Sequence, residues 1–145
     1  MAYADATDLA NALGTRTAAE LTADSGSTPD TTKLTEDVNA ASAEIDGYLA
    51  RRYATPISLT VHPELAPLLK SMTLRVAVYN THNRRQPVPE EISNARKAAV
   101  EWGSKVSRGE IVLPAATTPT PATADAPMTS HGGAVRNPPG VREDL

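Results

Sequence analysis

The chain has no cysteine and no phenylalanine. Without thiols there can be no disulfides and no thiolate metal ligands, and cysteine usage gives no information about the redox compartment. Aromatic residues make up 3 % of the sequence, a single Trp102 and four Tyr, so the core has to be built from Leu, Val, Ile and Ala, which each bury less surface than a ring. Such a core is thin for a chain of 145 residues, and association with further copies is a common way to add buried area. No run approaches the roughly 18 uninterrupted apolar residues of a membrane span. Met1 to Leu13 lacks the basic start and apolar stretch of a signal peptide, so a chain made in the cytoplasm is expected. An excess of either charge is missing too. Seventeen acidic against fourteen basic side chains leave −3 and a pI near 5.6, which gives no global attraction to nucleic acid or an anionic bilayer.

What is present is helical periodicity. One domain is expected at this length, with no internal repeat. Thr7 or Asp5 can cap a short helix carrying Leu9 and Leu13, with Gly14 at its C-terminal end. Thr17-Ala18-Ala19-Glu20 has the spacing of a capping box for a second short turn around Leu21. Asp24 to Pro29 reads as a loop. From about Thr32 to Tyr53, Leu34, Val38, Ala41, Ile45, Tyr48 and Leu49 form one stripe, which predicts a long helix capped by Asp30 or Thr32 and stopped by Pro56. Ile57, Leu59 and Val61 alternate with polar residues and predict a short extended connector.

Pro63 and Glu64 suit the first turn of the next long helix, whose stripe is Leu65, Leu68, Leu69, Met72, Val76 and Tyr79 and whose end lies near His82. After the Arg84 to Pro89 loop a last helix begins at Pro89-Glu90-Glu91, with Ile92, Ala95, Ala99, Trp102 and Val106 on one side and Gly109 at its end. The expected fold is therefore all-α, a small bundle of three long helices plus short N-terminal ones, over residues 1–113. Composition changes abruptly after Leu113. Five of the twelve prolines fall after Pro114, without a periodic apolar pattern, so residues 114–145 predict an extended Pro/Thr-rich tail that needs partners to become ordered.

Motifs of catalysis are missing. His62, His82 and His131 have no paired histidine or carboxylate at ligand spacing; His62 is read as part of a pre-proline turn, His82 as a helix C-terminal residue favoured when positive, and His131 as tail. No P-loop, GxSxG or GxGxxG occurs. Neither an enzyme, a metal nor a cofactor is expected. Asp37, Glu44 and Asp46 could be imagined as acid and base, but their positions along one helix favour a solvated or interface face. The pairs Arg51-Arg52 and Arg84-Arg85 lie at helix ends, where they could meet a helix dipole, partner carboxylates or phosphate. A helix-turn-helix reader is disfavoured, because the break from Ala54 to His62 exceeds the turn such motifs use.

One stretch carries a family resemblance. Met1-Ala2-Tyr3-Ala4 with Asp8-Leu9, then Ala43-Glu44-Ile45-Asp46-Gly47-Tyr48-Leu49 with Arg52-Tyr53 and Pro56, resembles the Mu-like phage head-to-tail adaptor (connector) family. Pro67-Leu68-Leu69-Lys70, Arg84-Arg85, Pro89-Glu90-Glu91 and Gly109 before Ile111 and Leu113 follow in the family's order. In the segment Glu44, Ile45, Asp46, Gly47, Tyr48, Leu49, the residues Ile45, Tyr48 and Leu49 share a face while Glu44 and Asp46 project away from it. A mid-helix Gly47 costs about 1 kcal/mol relative to Ala and so asks for a close-packed neighbour.

The resemblance implies a virion protein at the head-to-tail interface, assembled in the host cytoplasm. It would form a homo-oligomeric ring, a dodecamer, beneath the portal protein, extend the DNA channel without reading sequence, and dock a downstream connector or tail-completion protein. The long tail departs from a minimal family member. Within it Val135, Arg136, Pro138, Pro139, Val141, Arg142 and Leu145 are the expected contacts to portal or neighbour, and Arg51, Arg52, Arg84 and Arg85 are candidate interface or channel charges. The alternative is a cytoplasmic helical regulator that binds DNA or protein, with the tail as a solubilising linker.

Overall fold

The structure, a computed structural model, describes residues 2–85 and 87–113. Five α-helices form it, and the described residues contain no β-strand. Helix α1 (Ala6–Leu13) starts in a reciprocal capping box: Asp8 N–H donates to the Asp5 carboxylate at 2.8 Å, and Asp5 N–H returns a bond to the Asp8 carboxylate at 3.1 Å. It stops at Gly14, whose φ of +84° is open to glycine and strained for other residues. The chain turns there so sharply that α2 (Thr15–Thr22) begins at the next residue. The capping box expected at Thr17 is therefore not formed. Thr17 lies inside the first turn, and Glu20 reaches Arg16 at 2.9 Å instead.

Helix α3 (Thr31–Leu49) is capped by Asp30, whose carboxylate accepts from Thr32 and Lys33 N–H. Leu34, Val38, Ala41, Ile45 and Leu49 along its stripe are buried. The following connector is not extended, in contrast to the alternation that predicted it. Arg52 and Tyr53 N–H fold back onto the Leu49 carbonyl, and His62 N–H bonds the Ser58 carbonyl, so the backbone is satisfied by turns. The alternation survives in burial alone: Ile57 is buried, Leu59 partly so, and Val61 is 68 % exposed.

A 3-10 turn (Pro63–Leu65) runs directly into α4 (Ala66–Asn83). Helix α5 (Glu90–Arg108) carries Glu90 and Glu91 in its first turn and Lys105 and Arg108 in its last, the arrangement the helix dipole favours. Gly109, at φ +78°, closes it as the Glu110 N–H bonds the Lys105 carbonyl. Helix α4 is the centre of the bundle, packing on α3 and α5 and more lightly on α1 and α2, while α3 also meets α5 and α1. The core joins Leu9 to the α3 stripe, Leu65, Leu69 and Val76, then Ala99 and Val106. The three long helices and the short N-terminal ones thus appear as the periodicity predicted.

Candidate assembly surfaces

The segment from Glu44 to Leu49 is a junction between elements. Ile45 and Leu49 are fully buried. Asp46 accepts a hydrogen bond from the Tyr3 hydroxyl, which itself accepts one from the Ile57 N–H at 2.9 Å, and Tyr3 N–H donates to Ser42 Oγ at 3.2 Å. The N-terminal segment, α3 and the connector are fastened through one phenol. Burial pushes the Tyr3 hydroxyl far above its ordinary range, and burial also raises Asp46 above the usual carboxylate value. Glu44 bonds Arg96 Nη2 at 2.9 Å and takes a longer bond from the Tyr48 hydroxyl at 3.4 Å, while the Arg96 guanidinium stacks 4.9 Å from the Tyr79 ring centre. Both carboxylates are thus partly buried and engaged within the chain, where their helical positions had suggested a solvated or interface face.

The close-packed glycine is not Gly47. Gly47 is exposed, and nothing stands within 4 Å of where its Cβ would be. It is Gly103 of α5 that receives the neighbour: a Cβ there would lie 2.6 Å from Tyr48 Cδ2 and 2.7 Å from Cγ. The ring next to Gly47 in sequence therefore rests on a different glycine 56 positions along. Gly103 stands in step with Ala99 and Val106 on the buried side of α5, a sequence signal that pointed to it.

Three of the four candidate arginines bond groups of their own domain. Arg84 grips Asp37 with Nε–Oδ2 at 2.9 Å and Nη2–Oδ1 at 3.0 Å, and reaches Glu36 at 3.3 Å. Asp37 is 7 % exposed and also accepts from the Thr81 hydroxyl at 2.9 Å. This ion pair ties the C-terminal end of α4 to the first turns of α3, and Asp37, expected on a solvated or interface face, lies on the buried stripe between Leu34 and Ala41. Arg85 donates to the Ala23 carbonyl at 2.8 Å. Arg52 donates to the Arg108 carbonyl at 3.3 Å, so it caps the end of α5 rather than that of its own helix. Arg51 is exposed on the first turn after α3.

His62 precedes the 3-10 turn and lies 3.4 Å from Glu64. His82 sits in the last turn of α4, but burial lowers its pKa, so the positive form expected there is opposed by its surroundings. Among the described residues no group of three or more His, Asp or Glu could hold a metal ion, and no helix is long and apolar enough to cross a membrane. His131 and the expected tail contacts Val135, Arg136, Pro138, Pro139, Val141, Arg142 and Leu145 lie outside the described residues.

Sequence patterning had not singled out the open surface between α1, α4 and α5. It is a groove of about 610 Å³ whose walls include Leu74, Val78, Ile92 and Ala95, with Arg75 and Glu91 at its edges. Val112, 73 % exposed, adds an uncovered apolar side chain just before Leu113. Leu113 itself is buried, and its N–H is held by the Tyr53 hydroxyl at 3.1 Å. The last described residue is therefore held against the bundle. The described residues thus combine an all-α bundle, an open apolar groove and a C-terminal Leu113 held in place. The family described as Bacteriophage Mu, Gp36 matches residues 3–131. No curated protein matches the chain.

Proposed function

The chain belongs to the bacteriophage Mu Gp36 family, and from that premise we propose that this phage structural or assembly protein is the head-to-tail adaptor of its particle. Copies pack side by side into a ring under the portal, a dodecamer, which extends the DNA channel and offers the next connector or tail-completion protein a platform. DNA passes through without sequence-specific binding, and no catalytic step is involved. The family match is the observation that carries this reading, since it spans the bundle and continues past Leu113.

The geometry supports it in two ways. The core has few large side chains and leaves an apolar groove open, so lateral packing would add the buried area that the isolated domain lacks. Leu113, held by Tyr53, gives residues 114–145 the same starting point on every copy. A weak contact made by each tail to portal or neighbour is then multiplied around the ring. Deleting residues 114–145 and following portal attachment and particle completion tests the anchoring role. Loss of attachment is expected; normal attachment refutes it. Steep salt-dependent DNA binding by the full chain, with no particle association, would instead support a nucleic-acid-binding regulator.

A further inference from the structure

The groove between α4 and α5 has a charge pattern that selects its occupant. Leu74 and Val78 of α4 face Ile92 and Ala95 of α5 across it, and Arg75 and Glu91 stand at its edges. Lys70, which also borders it, is committed to Asp8 at 2.6 Å, whereas Arg75 and Glu91 form no ion pair or hydrogen bond among the described residues. A fitting ligand is a short segment with apolar side chains for the floor, a cation for Glu91 and an anion for Arg75. Between residues 114 and 145 the large aliphatic and thioether side chains are Met128, Val135, Val141 and Leu145. Only Val141-Arg142-Glu143-Asp144-Leu145 combines two of them with charges of both signs.

We propose that in the unassembled chain the segment Val141–Leu145 folds back into this groove of its own domain. Val141 and Leu145 lie on the apolar floor, Arg142 meets Glu91, and the Glu143-Asp144 pair meets Arg75. The tether reaches. Leu113 lies beyond the C-terminal end of α5 and the groove beside its N-terminal half, and a helix of this length spans about 28 Å. The 27 residues between Leu113 and Val141 can extend to about 90 Å. Tethering also gives the chain's own segment a local concentration that a second copy in dilute solution cannot match. Docking in the free chain stands on the groove and the segment alone; if the chain is the adaptor, portal or neighbouring copies would compete for the same five residues on assembly.

The absence of cysteine makes the test direct. A nitroxide is attached to a Gly140→Cys variant of the full chain, and methyl resonances are followed in dilute solution with the label oxidised and then reduced. The methyls of Leu74, Val78 and Ile92 should lose most of their intensity while the label is oxidised, and those of Val61 should keep theirs. Arg75→Glu, at an exposed position, should abolish the effect, and adding Glu143→Arg with Asp144→Arg should restore it. Uniform intensities in the parent protein overturn the proposal, as does broadening indifferent to the charge exchange. Mixing spin-labelled chains with isotope-labelled, label-free chains identifies the donor of the segment. Broadening that passes between chains means a second copy fills the groove and overturns docking within one chain.

Discussion

Gly103→Ala should unfold the domain more easily, although alanine is the better helix former. The new Cβ would sit 2.6 Å from Tyr48 Cδ2, 2.7 Å from Cγ and 3.0 Å from Cβ. Those atoms belong to the stiff root of the side chain, so relief requires moving helix α3 or turning Tyr48 about its first torsion. Overpacking of this kind costs about 1–3 kcal/mol, while replacing glycine within a helix returns about 1 kcal/mol. The expected net effect is a loss of about 1 kcal/mol. In a Tyr48→Ala background the ring atoms are gone and only Cβ at 3.0 Å remains, so most of the clash is relieved and the same change should stabilise by up to about 1 kcal/mol, giving a double-mutant coupling of up to about 2 kcal/mol. Urea unfolding followed by helical circular dichroism measures all four proteins. Gly47→Ala is the internal control and should stabilise by about 1 kcal/mol at most, because nothing stands near its Cβ. Gly103→Ala stabilising the parent protein, or acting equally in both backgrounds, would refute the assigned contact.

Asp37→Asn should cost about 2 kcal/mol, as it leaves the Arg84 guanidinium without its carboxylate; Arg84→Lys should recover little in its place, because an ammonium cannot make the two-pronged contact, and the same urea titrations check both. Asp46 gives a pH signature. Its folded pKa is raised above the ordinary 3.8 by burial, so its contribution is fully present below that value and is lost as pH rises through the folded one. The stability of the parent protein relative to Asp46→Asn should therefore fall between acid and neutral pH, and a flat or rising difference contradicts the assignment. Tyr53→Phe removes the acceptor of the Leu113 N–H at a cost of about 1 kcal/mol, and hydrogen exchange should speed up at Leu113 before it does in α5.

Helices were legible because each repeats an apolar residue at every turn, and the caps at Asp5, Asp30 and Gly109 formed as their residue types dictate. What escaped was long-range pairing. Asp37 falls three residues after Leu34 and four before Ala41, so its place on the buried stripe was readable, but Arg84, 47 positions away, was not identifiable as its partner. The same holds for Glu44 with Arg96 and for Asp46 with Tyr3. Gly47 attracted attention by interrupting a helix, yet a glycine's neighbour depends on which side of the helix it occupies, and the spacing of Ala99, Gly103 and Val106 carried that information. The connector misled because Ile57, Leu59 and Val61 alternate as a strand would, while the described residues provide no strand for them to pair with. The groove could not be read at all, since Arg75 and Glu91 become its two edges only once α4 and α5 lie side by side.

The adaptor reading assigns the junction at Glu44 to Leu49 a supporting part: it locks the N-terminal segment, α3 and α5 into one rigid unit, from which neighbouring copies and the tail can be presented at fixed angles. Arg51 and Arg75, exposed and outside the internal ion pairs, are the better candidates for contacts between chains than Arg84. Cryo-electron microscopy of particles carrying an epitope-labelled copy of this chain tests the central claim most directly. A closed ring bearing the label between portal and tail, with DNA density along its axis, is the predicted result. Complete particles with the label absent, or placed anywhere other than that vertex, would contradict it.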